Sequence, residues 1–535
     1  TRRIAQRGQE NLSEPYSFAI ILDADIVSRP IIDYNENPLG IDGRTGAQIS
    51  GIGSLQEAQD LAELLKIGTL PVDLTLTSQS TVSATLGEQA LDQGLKAGLI
   101  GLILVALFFL VYYRFLGAIA ILGLATYAVF FLALMKLIPI TLTLPGIAGL
   151  ILTIGVAADS NVVIFERIKE EARKGHSMLS AITTGYRKGI ATIVDANVIT
   201  LLTAFILFGL ATAGVKGFAF TLGVGTIVSL LTAVVFTRAV LGLMGRSRIL
   251  RSPRFLGAGE ERVRWHFDFA GASKWFFSVS GAILLIGALS FATKQLDFGI
   301  DFESGSKLNV ALAEAPDVDE IRESLNAAGV ENADGAKIQE TENAEFGENV
   351  FQISAELEPD QVGVVQEQLD QDFGYEVSAE ESFQSQVVGP TFGEQVARSA
   401  AYAIAFSLLL IAAYMAFRFE AKYAIPVMIA VIHDVLITAG VYSLVGREVS
   451  AGTVAAFLTI LGYSLYDTVI VFDRVRENVP RLPRATFAQI ANRSLAEVLT
   501  RSLITGLSTV FLIGVILVFG GETLRDFAFA MMVGV

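Results

Sequence analysis

The sequence predicts a polytopic α-helical membrane protein with two related transmembrane blocks and α+β modules outside the membrane. Three observations carry this. The 535-residue chain is 52% hydrophobic, with a mean hydropathy of +0.55, too apolar for an ordinary soluble protein. It holds about ten apolar stretches near the ~20 residues that a bilayer crossing needs. One motif occurs twice, GVAADSNVVIFER at 155–167 and GYSLYDTVIVFDR at 462–474. Aligned without a gap, the copies share a leading glycine and close on Phe165-Glu166-Arg167 and Phe472-Asp473-Arg474. Each carries one carboxylate inside the run, Asp159 or Asp467, offset by one position.

Residues 1–95 read as a partial α+β module. The run at 18–22 suits a buried strand. Ser54-Leu-Gln-Glu57 is a capping box that opens a helix with Leu55, Leu61, Leu64 and Leu65 at helical spacing. Gly68-Thr-Leu-Pro71 ends that helix, and 72–77 alternates like a strand. The polar opening is no signal peptide, and 527–535 reads as the start of a further span, so both ends read as trimmed. A first transmembrane block follows at 96–245. Its spans lie at about 97–113, 116–135, 145–165 with Asp159, 189–210 with Asp195 and Asn197, and 217–243. A linker at 246–274 leads to a single span at about 275–293. A second block occupies 398–535. Its spans lie at about 399–417, 423–445, 451–472 with Asp467, and 498–519, and another begins near Phe527.

Between the single span and the second block, 294–397 is an acidic module. Positions 297–397 hold 24 Asp and Glu against 3 Lys and Arg, in a chain of net charge −15, so the remainder is mildly basic. Surface charge of this kind reads first as solubility. Its pattern is strand 307–313, helix 318–328, strand 336–341, strand 349–355, helix 359–373, strand 375–383. That βαββαβ order is ferredoxin-like.

Orientation follows from the short loops. Arg167, Lys169, Arg173, Lys174, Arg187 and Lys188 share one side with Arg246, Arg248, Arg251, Arg254, Arg474, Arg476, Arg481 and Arg484. Lys136, Lys216, Arg447 and Arg525 stand nearly alone on the other. The basic side is expected to be cytoplasmic, which places both soluble modules outside.

The absence of cysteine excludes disulfides, zinc–thiolate sites and thiol catalysis. Three histidines, His176, His266 and His433, leave little room for a metal cluster. Nothing points to nucleic acid. Chemistry is expected instead from ionisable groups inside the spans, each costing roughly 2.5–3.5 kcal/mol to insert. Asp159 and Asp467 lead as ion or proton sites. The competing reading of Asp159 is a snorkelling carboxylate or one capped by Asn161, and that of Asp467 a hydrogen-bonded core acid. Tyr463, Tyr466 and Asp467 share a helical face at i, i+3 and i+4. Arg501 opens the 498–519 span with Thr505 one turn on. It reads either as a basic flank or as the partner a buried Asp467 needs. Asp195-Ala-Asn-Val-Ile-Thr200, with Asn197 and Thr200, answers Thr500-Arg-Ser-Leu-Ile-Thr505 in the other half and is expected to line the same interior. His433-Asp434, midway along its span, reads equally as functional or as a helix–helix hydrogen-bonding pair. Glu166, Arg167, Asp473 and Arg474 read as interface anchors. Two related halves with polar sites near their junction follow a transporter plan.

Further motifs tie the chain to a family. The first half shows Leu22-Asp-Ala-Asp-Ile-Val-Ser-Arg-Pro30, Gly68-Thr-Leu-Pro71, Leu144-Pro-Gly-Ile-Ala-Gly149, Asp159-Ser-Asn161, Glu166-Arg-Ile-Lys-Glu-Glu171 and Val215-Lys-Gly-Phe218. The second shows Phe298-Gly-Ile-Asp-Phe302, Arg418-Phe-Glu420, His433-Asp434, Gly462-Tyr-Ser464, Asp467-Thr468 and Asp473-Arg474. Over nearly its whole length the chain resembles the SecDF family, bacterial protein-export membrane components within the resistance-nodulation-division (RND) superfamily. The resemblance implies an RND-like pseudo-repeat, no enzymatic activity, no cofactor and a location in the bacterial inner membrane. It implies use of the proton motive force to help draw a preprotein outward after the SecA-driven SecYEG channel, with YajC as a further partner. It assigns the relay to Asp159, Asp467 and Arg501. The chain departs from the family where Ser304-Gly305 replaces Gly-Gly, and it is expected to lack the family's first span and the outer head of the first domain.

Rival readings remain. An intramembrane aspartyl protease would carry Gly-x-Gly-Asp, which neither acid shows. An RND-type exporter of small molecules or lipids would share the intramembrane acids. A passive scaffold for the channel would differ only in ignoring the gradient. Carboxylates serve H⁺ and Na⁺ alike, so the coupling ion stays open between them.

Overall fold

The computed structural model describes residues 17, 20–22, 25–31, 54, 59, 61–62, 77–81, 84–211, 213–244, 267–330, 332–341, 347, 349–357, 361–378, 382–419 and 421–535. Of the expected helix after Ser54, residues 59, 61 and 62 are described and helical; its stop at 68–71, the strand at 72–76, the loop at 246–254 and His266 lie outside these residues. The chain divides into two units, Thr1–Leu76 and Thr77–Val535. In the first, strands β1 (Ile20–Leu22) and β2 (Asp25–Ser28) pair antiparallel, with Ile21 opposite Ile26.

In the second unit a short strand β3 (Ser78–Thr81) precedes the helices α1 (Ala84–Tyr113), α2 (Phe115–Leu137), α3 (Leu144–Arg173), α4 (Met178–Leu210) and α5 (Ala213–Leu231). A π-helical turn, Thr232–Thr237, joins α5 to α6 (Arg238–Met244). Helix α7 (Ser273–Lys294) follows. Next come β4 (Asp297–Phe298), the short α8 (Ile300–Glu303), β5 (Gly305–Ala311), α9 (Val318–Ala327), β6 (Lys337–Thr341), β7 (Val350–Ala355), α10 (Gln361–Phe373) and β8 (Phe383–Val388). The chain closes with α11 (Pro390–Phe419), α12 (Ala421–Val445), β9 (Glu448–Val449), α13 (Ala451–Asn478), α14 (Phe487–Phe519) and α15 (Gly521–Gly534).

Among the described residues ten helices are long and apolar enough to cross a membrane. The shortest has 22 residues, about 33 Å at 1.5 Å per residue. Several outrun the apolar stretch that marks them in the sequence. Helix α14 begins eleven residues before the expected 498, because Thr486 and Gln489 form a capping box there. The expected span near Phe527 is the 14-residue α15.

The two blocks repeat in order and length. Helices α1 and α11 each have 30 residues, and α4 and α14 each have 33. The blocks also exchange partners: α14 packs along α1, and α4 along α11. Helix α3 lies at the centre, 94% of its apolar window buried within the protein. Without a hydrophobic drive between helices in lipid, close backbone approach must supply the packing. At the α7–α12 crossing Gly287 and Gly440 face each other, and a Cβ on Gly440 would lie 2.8 Å from Gly287 Cα. Ser290 and Ser443 hydrogen-bond at 2.9 Å along the same seam. Outside the spans, Asp268 and Asn492 tie the start of α7 to α14. Asn492 Nδ2 donates to Asp268 Oδ1 and Asn492 Oδ1 accepts from Ala270 N–H. The Gly271 N–H and the Asn492 amide hold the Asp268 carboxyl below the usual carboxylate range.

The acidic module forms one antiparallel sheet in the order β3-β8-β5-β7-β6. Its last four strands have ferredoxin-like topology. Alternation along β5 buries Leu308 and Val310 against Ile321, Leu325, Val365 and Leu369 of the two helices. Two expectations are corrected. The last strand is β8 rather than 375–383, of which Tyr375 makes only an isolated bridge to Leu312. The edge strand β3 comes from the segment before α1 and adds to this sheet, so positions read as part of a separate first module complete the second.

The sheet is tied directly to α13. Strand β4 pairs parallel with β9, and Gly299 N–H donates to Val449 O. Asp301 Oδ2 accepts from Ala451 N–H at the start of α13, while its Oδ1 accepts from Gln386 Nε2 of β8. Lys307 of β5 pairs with Glu448 at 3.1 Å. The turn into β5 is strained. Ser304 has φ 65° and ψ 170°, a region suited to glycine. Ser304→Gly is expected to stabilise the module by about 1 kcal/mol, read as a higher melting temperature of the purified chain in detergent.

Candidate functional site

Asp159 lies midway along α3 and is 6% exposed. Ser508 Oγ of α14 donates to its Oδ1 at 3.1 Å. Asp467 lies on α13, and its buried Oδ1 has no hydrogen-bond partner among the described residues. The same holds for the hydroxyls of Tyr463 and Tyr466. These groups converge. A cavity of about 220 Å³ is lined by Asp159, Asp467, Tyr463, Tyr466, Asp434 and Thr505, with Ser464, Thr468, Gly506 and Thr509 completing the polar wall. At ~30 Å³ per water, that volume suits several waters or a hydrated cation. Two carboxylates from corresponding helices of the two blocks thus share one polar chamber at the junction of those blocks. Carboxylates and hydroxyls facing such a volume can take up a proton or accept a hydrated cation. Among the described residues no group of three or more His, Asp or Glu side chains is arranged to hold a metal ion.

Arg501 departs from expectation. It is 7% exposed, forms no ion pair with Asp467 or Asp159, and leaves Nε and Nη1 without partners among the described residues. It lies among Arg167, Glu166, Tyr466 and Glu170 and does not line the cavity. One helical turn toward α14's start from Thr505 carries it out of the chamber. Asp159 is the more buried of the two acids and has a hydroxyl donor in place of a base.

The other expected residues divide. Tyr463, Tyr466, Thr505 and Asp434 line the chamber, and Thr505 Oγ1 donates to Arg501 O. Asn161 does not cap Asp159. Its Nδ2 donates to Ala157 O, and its Oδ1 accepts from Thr237 Oγ1 in the π-helical turn. Asn197 bonds only within α4, to Ile193 O. Thr200 bonds back to Ala196 O at the α4–α13 contact. Asp195 is a bridge between blocks: Arg418 of α11 holds both its oxygens, at 2.9 and 2.7 Å, and Tyr414 donates at 3.1 Å. His433 bonds to Asp434 at 2.8 Å. Ser508, Thr509, Ser464 and Thr468 were missed by the sequence reading. A signal existed: Thr505, Ser508 and Thr509 recur at i, i+3 and i+4 inside an apolar helix.

At the far ends of α3 and α13 the repeated motif forms a crossed clamp. Arg167 pairs with Glu170 on its own helix at 3.1 Å and reaches Glu477 at 3.4 Å and Asp473 at 3.5 Å. Arg474 pairs with its own Glu477 at 2.8 Å and reaches Glu170 at 3.1 Å and Glu497 at 2.6 Å. Each block's arginine binds the other block's glutamate. Lys169 pairs with Glu166 at 2.9 Å beneath the rings of Tyr112 and Tyr113.

Comparison with known proteins gives a consistent result. The family described as protein export membrane protein SecD/SecF, C-terminal, matches residues 65–247 and again 370–535. Residues 1–72 match the SecDF P1 head subdomain, so the head region expected to be missing is represented in the chain. The protein translocase subunit SecDF of Bacillus subtilis (strain 168) is 34% identical over 511 residues, 92% of this chain and 68% of that protein. A crystal structure of SecDF, a translocon-associated membrane protein, from Thermus thermophilus aligns with TM-score 0.81 and 34% identity. It covers 100% of this chain and 71% of its own. A crystal structure of SecDF in Super-membrane-facing form aligns with TM-score 0.65 and 33% identity over the same shares.

Removing Arg474 takes away the cation that Glu170, Glu477 and Glu497 share, while Arg167, Lys174, Arg481 and Arg493 still reach one or another of them. Arg474→Leu is expected to destabilise the folded chain by about 2 kcal/mol, seen as a lower melting temperature in detergent. The same substitution at Arg476, outside the clamp, is expected to have little effect.

Proposed function

Because the chain belongs to the SecD/SecF family of protein-export membrane proteins, we propose that it is an accessory factor of Sec export that turns an ion gradient into a pull on the emerging preprotein. One observation carries the reading: repeat-related acids of both blocks, Asp159 and Asp467, open on a single polar cavity between them. The residues of the expected relay are thereby reassigned. Asp159 and Asp467 bind the ion, and Arg501, lying between chamber and clamp, is the charge whose placement responds to their occupancy.

The physics supports the reading. A charge crossing 100 mV releases about 2.3 kcal/mol. Protonating Asp159 removes the negative charge that Ser508 of the opposite block stabilises, which changes the preference of α3 for α14. Helix α13 carries Asp467 in its middle and the sheet at its start, so movement at the chamber reaches the soluble module. The coupling ion is H⁺ or Na⁺, with no other cofactor and no catalytic chemistry. By analogy with the family, the basic clamp side is cytoplasmic in the bacterial inner membrane, and the acidic module and the head lie outside. The partners are the SecYEG channel, SecA-driven preproteins and YajC.

Asp159→Asn is expected to abolish gradient-dependent completion of export while the protein still accumulates in the membrane. Translocation into vesicles energised by H⁺ or by Na⁺ alone identifies the ion. Export at the wild-type rate by this variant under both gradients would refute the reading.

A further inference from the structure

The chamber has a second ionisable unit on its wall that the paired acids leave unused. His433 lies midway along α12, and different helices engage its two ring nitrogens. Nδ1 lies 2.8 Å from Asp434 Oδ1, and Nε2 meets Ser280 Oγ of α7. The second oxygen of Asp434 accepts from Ser464 Oγ of α13 at 2.5 Å. Ser464 shares a helical face with Asp467, three residues on, and Asp434, Ser464, Asp467 and Asp159 all line the cavity. A hydrogen-bonded line thus runs from α7 through an imidazole and a carboxylate to Ser464 of α13, and the cavity spans the remaining distance to the paired acids. The His433 and Asp434 side chains are 33% and 35% exposed, whereas Asp159 is enclosed. The glycine contact and the Ser290–Ser443 bond fix α7 against α12, holding Ser280 on the ring.

We propose that His433 and Asp434 form a proton-handling branch of the ion site, loading the chamber from the α7–α12 seam. The two nitrogens of an imidazole take up and release protons on opposite sides of the ring. A proton arriving at Nε2 makes the imidazolium. The ring then gives its Nδ1 proton to Asp434 Oδ1, and Asp434 passes it through the chamber to Asp467 or Asp159. The ring is left neutral with hydrogen on Nε2, and a rotation about its Cβ–Cγ bond, which swings the hydrogen-bearing side toward Asp434, resets it. The groups facing this unit are Ser280 from α7, Ser464 and Asp467 from α13, and Asp159 from α3 across the chamber. This proposal rests on the ion-coupled reading above, with H⁺ as the ion.

The full chain is reconstituted in vesicles enclosing a pH-sensitive dye, and proton uptake is followed under an imposed potential and pH gradient. His433→Gln keeps hydrogen-bonding ends without titrating. It is expected to slow uptake by about a hundredfold, the lower range for a proton-transferring side chain. His433→Ala is expected to recover when imidazole is added, and Asp159→Asn to stay inactive with or without it. Wild-type uptake by His433→Gln beside an inactive Asp159→Asn overturns the branch and leaves the paired acids standing. Wild-type uptake by both variants overturns the ion-coupled reading itself. A slow His433→Ala that imidazole does not restore gives His433 a structural role and overturns the branch.

Discussion

A carboxylate inside hydrocarbon must find its partners within the protein, and that requirement holds this molecule's two halves together. Several ionisable groups of each block take a partner from the other. Asp159 of the first takes its hydroxyl donor from Ser508 of the second. Asp195 takes both guanidinium contacts from Arg418. Arg167 and Arg474 exchange glutamates across the junction. Separating the blocks would strand Asp195 and remove a cross-block partner at each other level, and stranding a buried charge costs far more than the net worth of the pair. The interface is therefore specified by polar groups, while lipid supplies no hydrophobic drive to hold the helices.

Helix α13 gives that interface a direction. Ser450 caps its first turn by accepting from Thr453 N–H, and Asp301 of the soluble module accepts from Ala451 N–H. Asp467 lies in its middle on the chamber, and Arg474 lies near its end in the clamp. A helix is stiff along its axis, so sheet, ion site and clamp are three stations on one rod. Its counterpart α3 begins differently. Thr143 caps it by accepting from Gly146 N–H and donates to Gly214 O, which ties α3 to α5 within its own block. The repeat is thus symmetric at the chamber and clamp and asymmetric at the sheet.

The spans, the repeat and the two acids were legible because each leaves a local signature: apolar length, a matched motif, a charge where charge is costly. The departures share one cause. A cap on Asp159 by Asn161 was the competing reading, but positions i and i+2 face apart on a helix, and the amide meets Thr237. Arg501 was read either as a basic flank or as the partner of Asp467, and it is buried with no ion pair to either acid. A turn of helix takes the guanidinium below the chamber. The strand at 375–383 was placed on composition, while the register with β5 selects Phe383–Val388.

By itself the sequence determined the class of protein, the ferredoxin-like order of the acidic module, the duplication, and the identity of Asp159 and Asp467 as the groups to watch. These depend on periodicity and on the local free energy of placing a residue in oil or water, which neighbours in the chain decide. Only the tertiary structure decided that the acids meet in one cavity, that hydroxyls surround them in place of an arginine, and that a strand before α1 finishes a sheet begun more than two hundred residues later. Those outcomes depend on which helix faces pack together, and the energy of that choice belongs to pairs of residues hundreds of positions apart.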